Sequence, residues 1–144
     1  MAIEFIQKDD MILAIIIPYN YVADGLSFIT PESFSQQLAY MRHPEGKVIQ
    51  PHIHKPLKRE VNFTQEVLVI KRGKIRVDFY TPEKDYLTSR ILVSGDTILL
   101  ASAGHGFEVI EEVEMIEIKQ GPYGGDDVDK IRFKSVSPEK ISIK

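Results

Sequence analysis

The sequence predicts an all-β fold, a sandwich or barrel of many short strands. Short segments rich in β-branched and aromatic residues recur along the chain, divided by Gly, Pro, Asp and Asn. Long helical periodicity is missing. At 144 residues and 16.4 kDa the chain fits one domain, 1–144, large enough to bury a core. Its hydrophobic fraction of 43% and charged fraction of 27% are those of an ordinary globular protein.

Strands are expected at 3–6, 12–17, 26–29, 38–41, 47–50, 64–71, 74–80, 89–93, 97–100, 107–110 and 113–119, where apolar and β-branched residues concentrate. Arg72-Gly73 reads as a tight connection, because glycine takes the positive φ that a short hairpin needs, so 64–80 reads as one hairpin. The turn at 81–85 uses Pro82 to preset φ and polar residues to face solvent, which places Asp78, Tyr80 and Tyr86 at the surface. One short helix is expected at 31–37, with Thr30 capping it, Pro31 at its first position and Glu32 at the positive dipole end. The strand at 11–17 lacks clean alternation and could pair across a dimer interface. The tail 120–144 is polar and Gly/Asp/Lys-rich, with 131–133 as its one anchored piece.

A formal net charge of −3 and a pI near 5.8 give no basic surface for a phosphate backbone, so no nucleic-acid partner is expected. No membrane span is expected either: the longest apolar run, 11–18, falls far short of the roughly 20 residues a bilayer requires. The opening MAIEFIQKDD lacks the basic stretch and apolar core of a secretory signal, so a cytoplasmic location is expected. With no cysteine, a bound metal would need nitrogen and oxygen ligands.

Three of the four histidines fall where they could converge. His52-Ile53-His54 has the alternate spacing that puts both imidazoles on one side of an extended chain, about 6–7 Å apart along it. Glu66 sits in an apolar strand, where a buried carboxylate needs a cation or a hydrogen-bond donor. His105 lies between Gly104 and Gly106, whose small size lets the backbone approach closely and the ring turn inward. Three imidazoles and a carboxylate suit one divalent transition metal: zinc, iron, nickel, manganese or copper. His43, beside Arg42 and Pro44, is left as a solvated turn residue.

These residues carry a resemblance to the cupin superfamily. Its first motif runs glycine, five residues, His-x-His, three or four residues, glutamate, six residues, glycine. Gly46, His52, His54, Glu66 and Gly73 match it at both ends, with the longer segment 55–65 between the second histidine and the glutamate. The second motif is present in shortened form from Gly95 to His105, without its proline. The resemblance covers 46–119 and implies a double-stranded β-helix, the jelly-roll cupin barrel, holding a metal through His52, His54, Glu66 and His105; it also implies a homodimer. GDTILLASAGHGF and EMIEIKQGPY resemble small single-domain cupins of the sugar-isomerase-like or polysaccharide-linked type.

Further candidates flank this set. Met115, Glu117 and Lys119 share one face of the last strand, which is either exposed or turned into the cavity. If inward, Glu117 serves as acid or base and Lys119 binds a substrate carboxylate or phosphate. The basic segment around Arg59 would guide an anionic substrate or simply be a solvated loop, and Tyr123 would cover the pocket or belong to a plain turn. Two functions follow. One is a metalloenzyme on a small oxygenated molecule such as a sugar derivative, by isomerisation or epimerisation, with an iron-dependent dioxygenase as a variant. The other is a non-catalytic module that binds or senses a small ligand.

Overall fold

The two longest apolar stretches of the second half become the two longest strands, and their pairing sets the architecture. The computed structural model describes residues 1–144, with residues 126 and 127 described by their backbone. Its strands are β1 (Glu4–Lys8), β2 (Met11–Ile17), β3 (Gly25–Phe28), β4 (Ala39–Arg42), β5 (Glu66–Tyr80), β6 (Tyr86–Val93), β7 (Thr97–Leu100) and β8 (Gly104–Lys119). The main sheet is antiparallel in the order β1-β2-β7-β5-β6, and β8 pairs with the other edge of β5. The fold is thus all-β: a strongly curled sheet forming a half-barrel, compatible with a jelly roll. β3 and β4 form a separate two-stranded sheet. No helix among the described residues is long and apolar enough to cross a membrane.

Arg72-Gly73 is not a hairpin. β5 runs through it unbroken, and β8 pairs with both halves, with register shifts between Ile70 and Ile75. Gly73 has φ +91° and sits so close to β8 that an added Cβ would lie 2.0 Å from the Glu112 carbonyl oxygen. Its positive φ therefore serves a bulge that bends the pair rather than a chain reversal. The same bend merges the expected strands 107–110 and 113–119 into β8.

Leu68, Ile70, Ile75, Val77 and Phe79 of β5 line the concave face, packed with Leu13, Ile98 and Leu100. Val67, Ile15 and Leu99 face the other way, covered by Ile29, Phe34 and Leu38. The segment between β3 and β4 makes turns in place of the expected helix. Thr30 Oγ1 donates to Gln37 Oε1 at 2.8 Å and accepts from Leu38 N, so the expected cap instead ties the two ends of the loop together. β2 pairs with β1 on one side and β7 on the other, so it offers no free edge to a dimer; its weak alternation reflects burial on both faces.

Asp78 and Tyr80, expected at the surface, are each 4% exposed. The tail covers Tyr80. Phe133 stacks edge-on against Tyr80 at 5.0 Å, Val136 N donates to Tyr80 Oη, and Ser142–Lys144 runs beside Ser89 of β6. Beneath it, Asp78 accepts from the Ser89 hydroxyl and from Arg76 Nε and Nη2, which satisfies the buried carboxylate. Tyr86 is half-buried, its hydroxyl accepting from Ser142 N. The tail is thus anchored at 133, 136 and 142–144, while Ile131 is 81% exposed. The expected strand 47–50 is absent: residues 43–65 form no strand, and 41–64 are exposed throughout.

Two glycines of positive φ separate conformation from contact. Gly46 has φ +81° with nothing within 4 Å of an added Cβ. Gly46→Ala should lower stability by about 1 kcal/mol, the strain of a left-handed residue alone. Gly73→Ala should cost about 3 kcal/mol or more, because the methyl also drives β5 off β8. Urea unfolding of both variants checks the order, and equal losses would mean that the bulge is not needed.

Candidate functional site

Directly opposed residues of an antiparallel pair share a face, so the concave row of β5 fixes the inward row of β8. Glu66 opposes Lys119, Leu68 opposes Glu117, and Phe79 opposes His105. Glu117 and Lys119 therefore lie on the same side of the ladder as Leu68 and Glu66, with the Lys119 side chain 18% and that of Glu117 47% exposed.

A flat ladder of this length would hold Glu66 and His105 roughly 40 Å apart. In the curled sheet His105 Nε2 lies 2.9 Å from Glu66 Oε1. The path is visible in the register: Leu100 of β7 pairs with Glu66, and the chain from Leu100 to His105 turns one corner. That corner is clamped to β2, with Ala101 N donating to Leu13 O at 2.8 Å and Ser102 Oγ to Ile12 O at 2.6 Å. Gly104 is required there, since a Cβ would meet Phe133 at 2.8 Å.

Glu66 is 8% exposed, with His105 as its close partner and Glu117 beside it. The His105 hydrogen bond holds its carboxyl down to about 2, against the upward push of burial. Glu117 is pushed up from the ordinary carboxylate range, first by its hydrogen bond to Glu66 and then by burial. Two adjacent carboxyls thus hold their protons unequally, the arrangement that divides acid from base. Lys119 Nζ stands 3.9 Å from Glu117 and 5.0 Å from the centre of the Tyr123 ring.

Two glutamines beside this cluster escaped the sequence reading. Buried Gln65 accepts from Gln36 N and donates to Ala101 O, and its own N–H donates to Gln120 Oε1 at 2.9 Å. Gln120 reaches on to Ser35 at 3.1 Å. They fix the strand ends that carry Glu66 and Lys119. Each directly adjoins a candidate residue in sequence, which was the available signal.

His52 and His54 lie elsewhere, on the exposed segment between β4 and β5. Their rings do sit together, 5.3 Å between centroids, with His52 Nδ1 2.8 Å from Gln50 O. Among the described residues, no three His, Asp or Glu side chains are arranged to hold a metal ion. Within one chain the expected ligands thus form two separated halves, His52 with His54 and Glu66 with His105. Arg59 lines a shallow cleft with Phe28, Glu32, Phe34 and Glu60. His43 is exposed, as expected.

The two carboxyls make opposite contributions to stability. Glu66, lowered from 4.5 to about 2, stabilises the fold above its ordinary value and loses that effect as pH falls toward 2. Glu117, raised, stabilises below its ordinary value and loses the effect as pH rises through the raised one. At pH 7, Glu66→Gln should therefore destabilise by about 1–2 kcal/mol. Glu117→Gln should stabilise by only a few tenths of a kcal/mol, because solvent screens this half-exposed group. Urea unfolding should show the Glu66→Gln deficit shrinking between pH 4.5 and 2; a constant deficit would exclude the His105 pairing as its cause. In comparisons with known proteins, no family model, curated protein or solved structure matches the chain.

Proposed function

We propose that this chain is a cupin-type protein that acts on a small oxygenated molecule, a carbonyl-bearing sugar derivative being the favoured class, as an isomerase or epimerase. The observation that carries this reading is the meeting of Glu66, His105, Glu117 and Lys119 at one place in a curled sheet. The concave placement and the second carboxyl favour turnover over ligand storage.

Glu117, more open to solvent than Glu66, is the group that reaches a substrate. Its carboxylate takes the proton from the carbon next to the carbonyl. The C–H electron pair moves into an enediolate, the hydroxyl proton of the deprotonated carbon passes to the former carbonyl oxygen, and Glu117 returns its proton to the neighbouring carbon, the former carbonyl carbon. Lys119 holds a substrate carboxylate or phosphate. Glu66 and His105 are positioning residues that set the proton affinity and direction of Glu117.

The cupin resemblance adds one divalent transition metal held by His52, His54, Glu66 and His105, which when bound would polarise the carbonyl. Within a single chain these four residues do not fit one ion, so the proton transfer above uses the protein's own groups. The cytoplasmic location and the small-molecule partner belong to the same proposal.

Deuterium wash-in from D2O into a panel of keto and aldehyde sugars and sugar phosphates, followed by NMR, tests it. Exchange next to the carbonyl should be catalysed by the native protein and fall about 100-fold or more in Glu117→Gln. Saturable binding of a sugar with no exchange across the panel would establish the non-catalytic module instead.

A further inference from the structure

After β8 ends, the tail does not leave the site. Gln120 Oε1 accepts from Gln65 N at 2.9 Å, and the Tyr123 ring centre lies 5.0 Å from Lys119 Nζ. Asp129 Oδ1 then accepts from Thr64 Oγ1 at 2.6 Å, just ahead of Glu66 in the chain. Phe133 reaches the opposite side, packing at Gly104 and Tyr80 beside His105. The segment 121–132 therefore runs along the rim of the Glu66–His105 cluster, pinned at both ends and at Asp129 in between.

Lys130 is carried on that rim. It follows Asp129 directly, so its backbone is held between the Thr64 contact and the Phe133 contact. The residue is exposed, and its charge acts on Glu117 together with that of Lys119. Two ammonium groups thus approach one carboxyl from separate segments, β8 and the returning tail. The Tyr123 ring helps to hold Lys119, whose side chain is largely covered, whereas exposed Lys130 has room to swing onto a ligand.

Lysines placed this way select among anions. An arginine fork matches the planar, two-oxygen edge of a carboxylate, while separate ammonium groups act as point charges and match a tetrahedral group whose oxygens point apart. Charge leads the same way. Glu66 and Glu117 repel any anion brought beside them, and a dianion doubly so; a second cation within reach of the same point is what such a ligand requires.

We infer that Lys130 is a second anion-binding residue of this site and that, with Lys119, it holds a phosphoryl dianion, so that the molecule bound at Glu117 carries a phosphate in place of a carboxylate. The inference rests on the proposed role of Lys119 and narrows the substrate class to a phosphorylated one.

Titration of the ¹⁵N-labelled full chain with inorganic phosphate, sulfate or acetate, followed by backbone amide NMR at about pH 8, where phosphate is doubly charged, tests it. Phosphate and sulfate should bind about 10-fold or more tighter than acetate and shift the signals of Lys119 and Lys130 together. Lys130→Ala should weaken phosphate binding about 10-fold, and Lys130→Arg should restore most of it. Lys140→Ala, which removes the same charge near the end of the tail, should leave it unchanged. A native chain that binds phosphate no better than acetate, or whose shifts spare Lys130, would overturn the dianion site without recourse to any variant. So would native-like phosphate affinity in Lys130→Ala.

Deuterium wash-in separates this subsite from the isomerase reading. Phosphate binding that depends on Lys130, with no exchange in any sugar phosphate, would remove the isomerase and leave the subsite standing. Exchange confined to unphosphorylated sugars would overturn the phosphate assignment and leave the isomerase.

Discussion

Everything else in this molecule depends on the pairing of β5 with β8 and on its bend. A ladder this long cannot stay flat, because strands twist and apolar side chains on one face draw it closed around themselves. The Gly73 bulge lets both strands bend at one level without breaking the pairing, and the bend brings the two ends of the ladder together. The interior row from Leu68 to Phe79 is the reason to close, and Glu66 is the polar end of that row.

A carboxylate at that end is tolerated because several elements serve it. The corner after β7 sets His105 at the start of β8, the end of β8 delivers Glu117 and Lys119, and Gln65 and Gln120 pin the flanking backbone. Burial would otherwise keep the acid protonated, and the His105 hydrogen bond outweighs it. The excess proton affinity appears on Glu117, which is the better exposed of the two. Structure and reactivity thus have one origin, since the contacts that close the sheet also divide the protons.

Much of this was legible in the sequence, and the part that was not has a common cause. Alternation and β-branched residues located most strands of the sheet, and the apolar setting of Glu66 correctly marked it as a buried acid in need of a partner. His105 is the donor found beside it, at 2.9 Å. Arg72-Gly73 misled because positive φ serves a hairpin and a bulge alike, and only the register with β8 distinguishes them. Tyr80 misled because its cover comes from residues more than fifty positions away, in a tail whose polarity suggested solvent, and Asp78 because Ser89 on the neighbouring strand and Arg76 satisfy its carboxylate out of water. The sequence places His52 beside His54 but carries no local signal for whether a segment packs on its own chain.

That last point bears on the glutamates of β8. An exposed edge strand risks pairing with its own copy in an adjacent molecule, and charge is the usual defence. Two β8 edges meeting each other would set Glu112 and Glu117 against the same residues of the second strand, a repulsive contact in either direction. Three of the five glutamates also hold Arg72, Lys74 and Arg76 of β5, so the side chains that guard the free edge fasten the ladder as well.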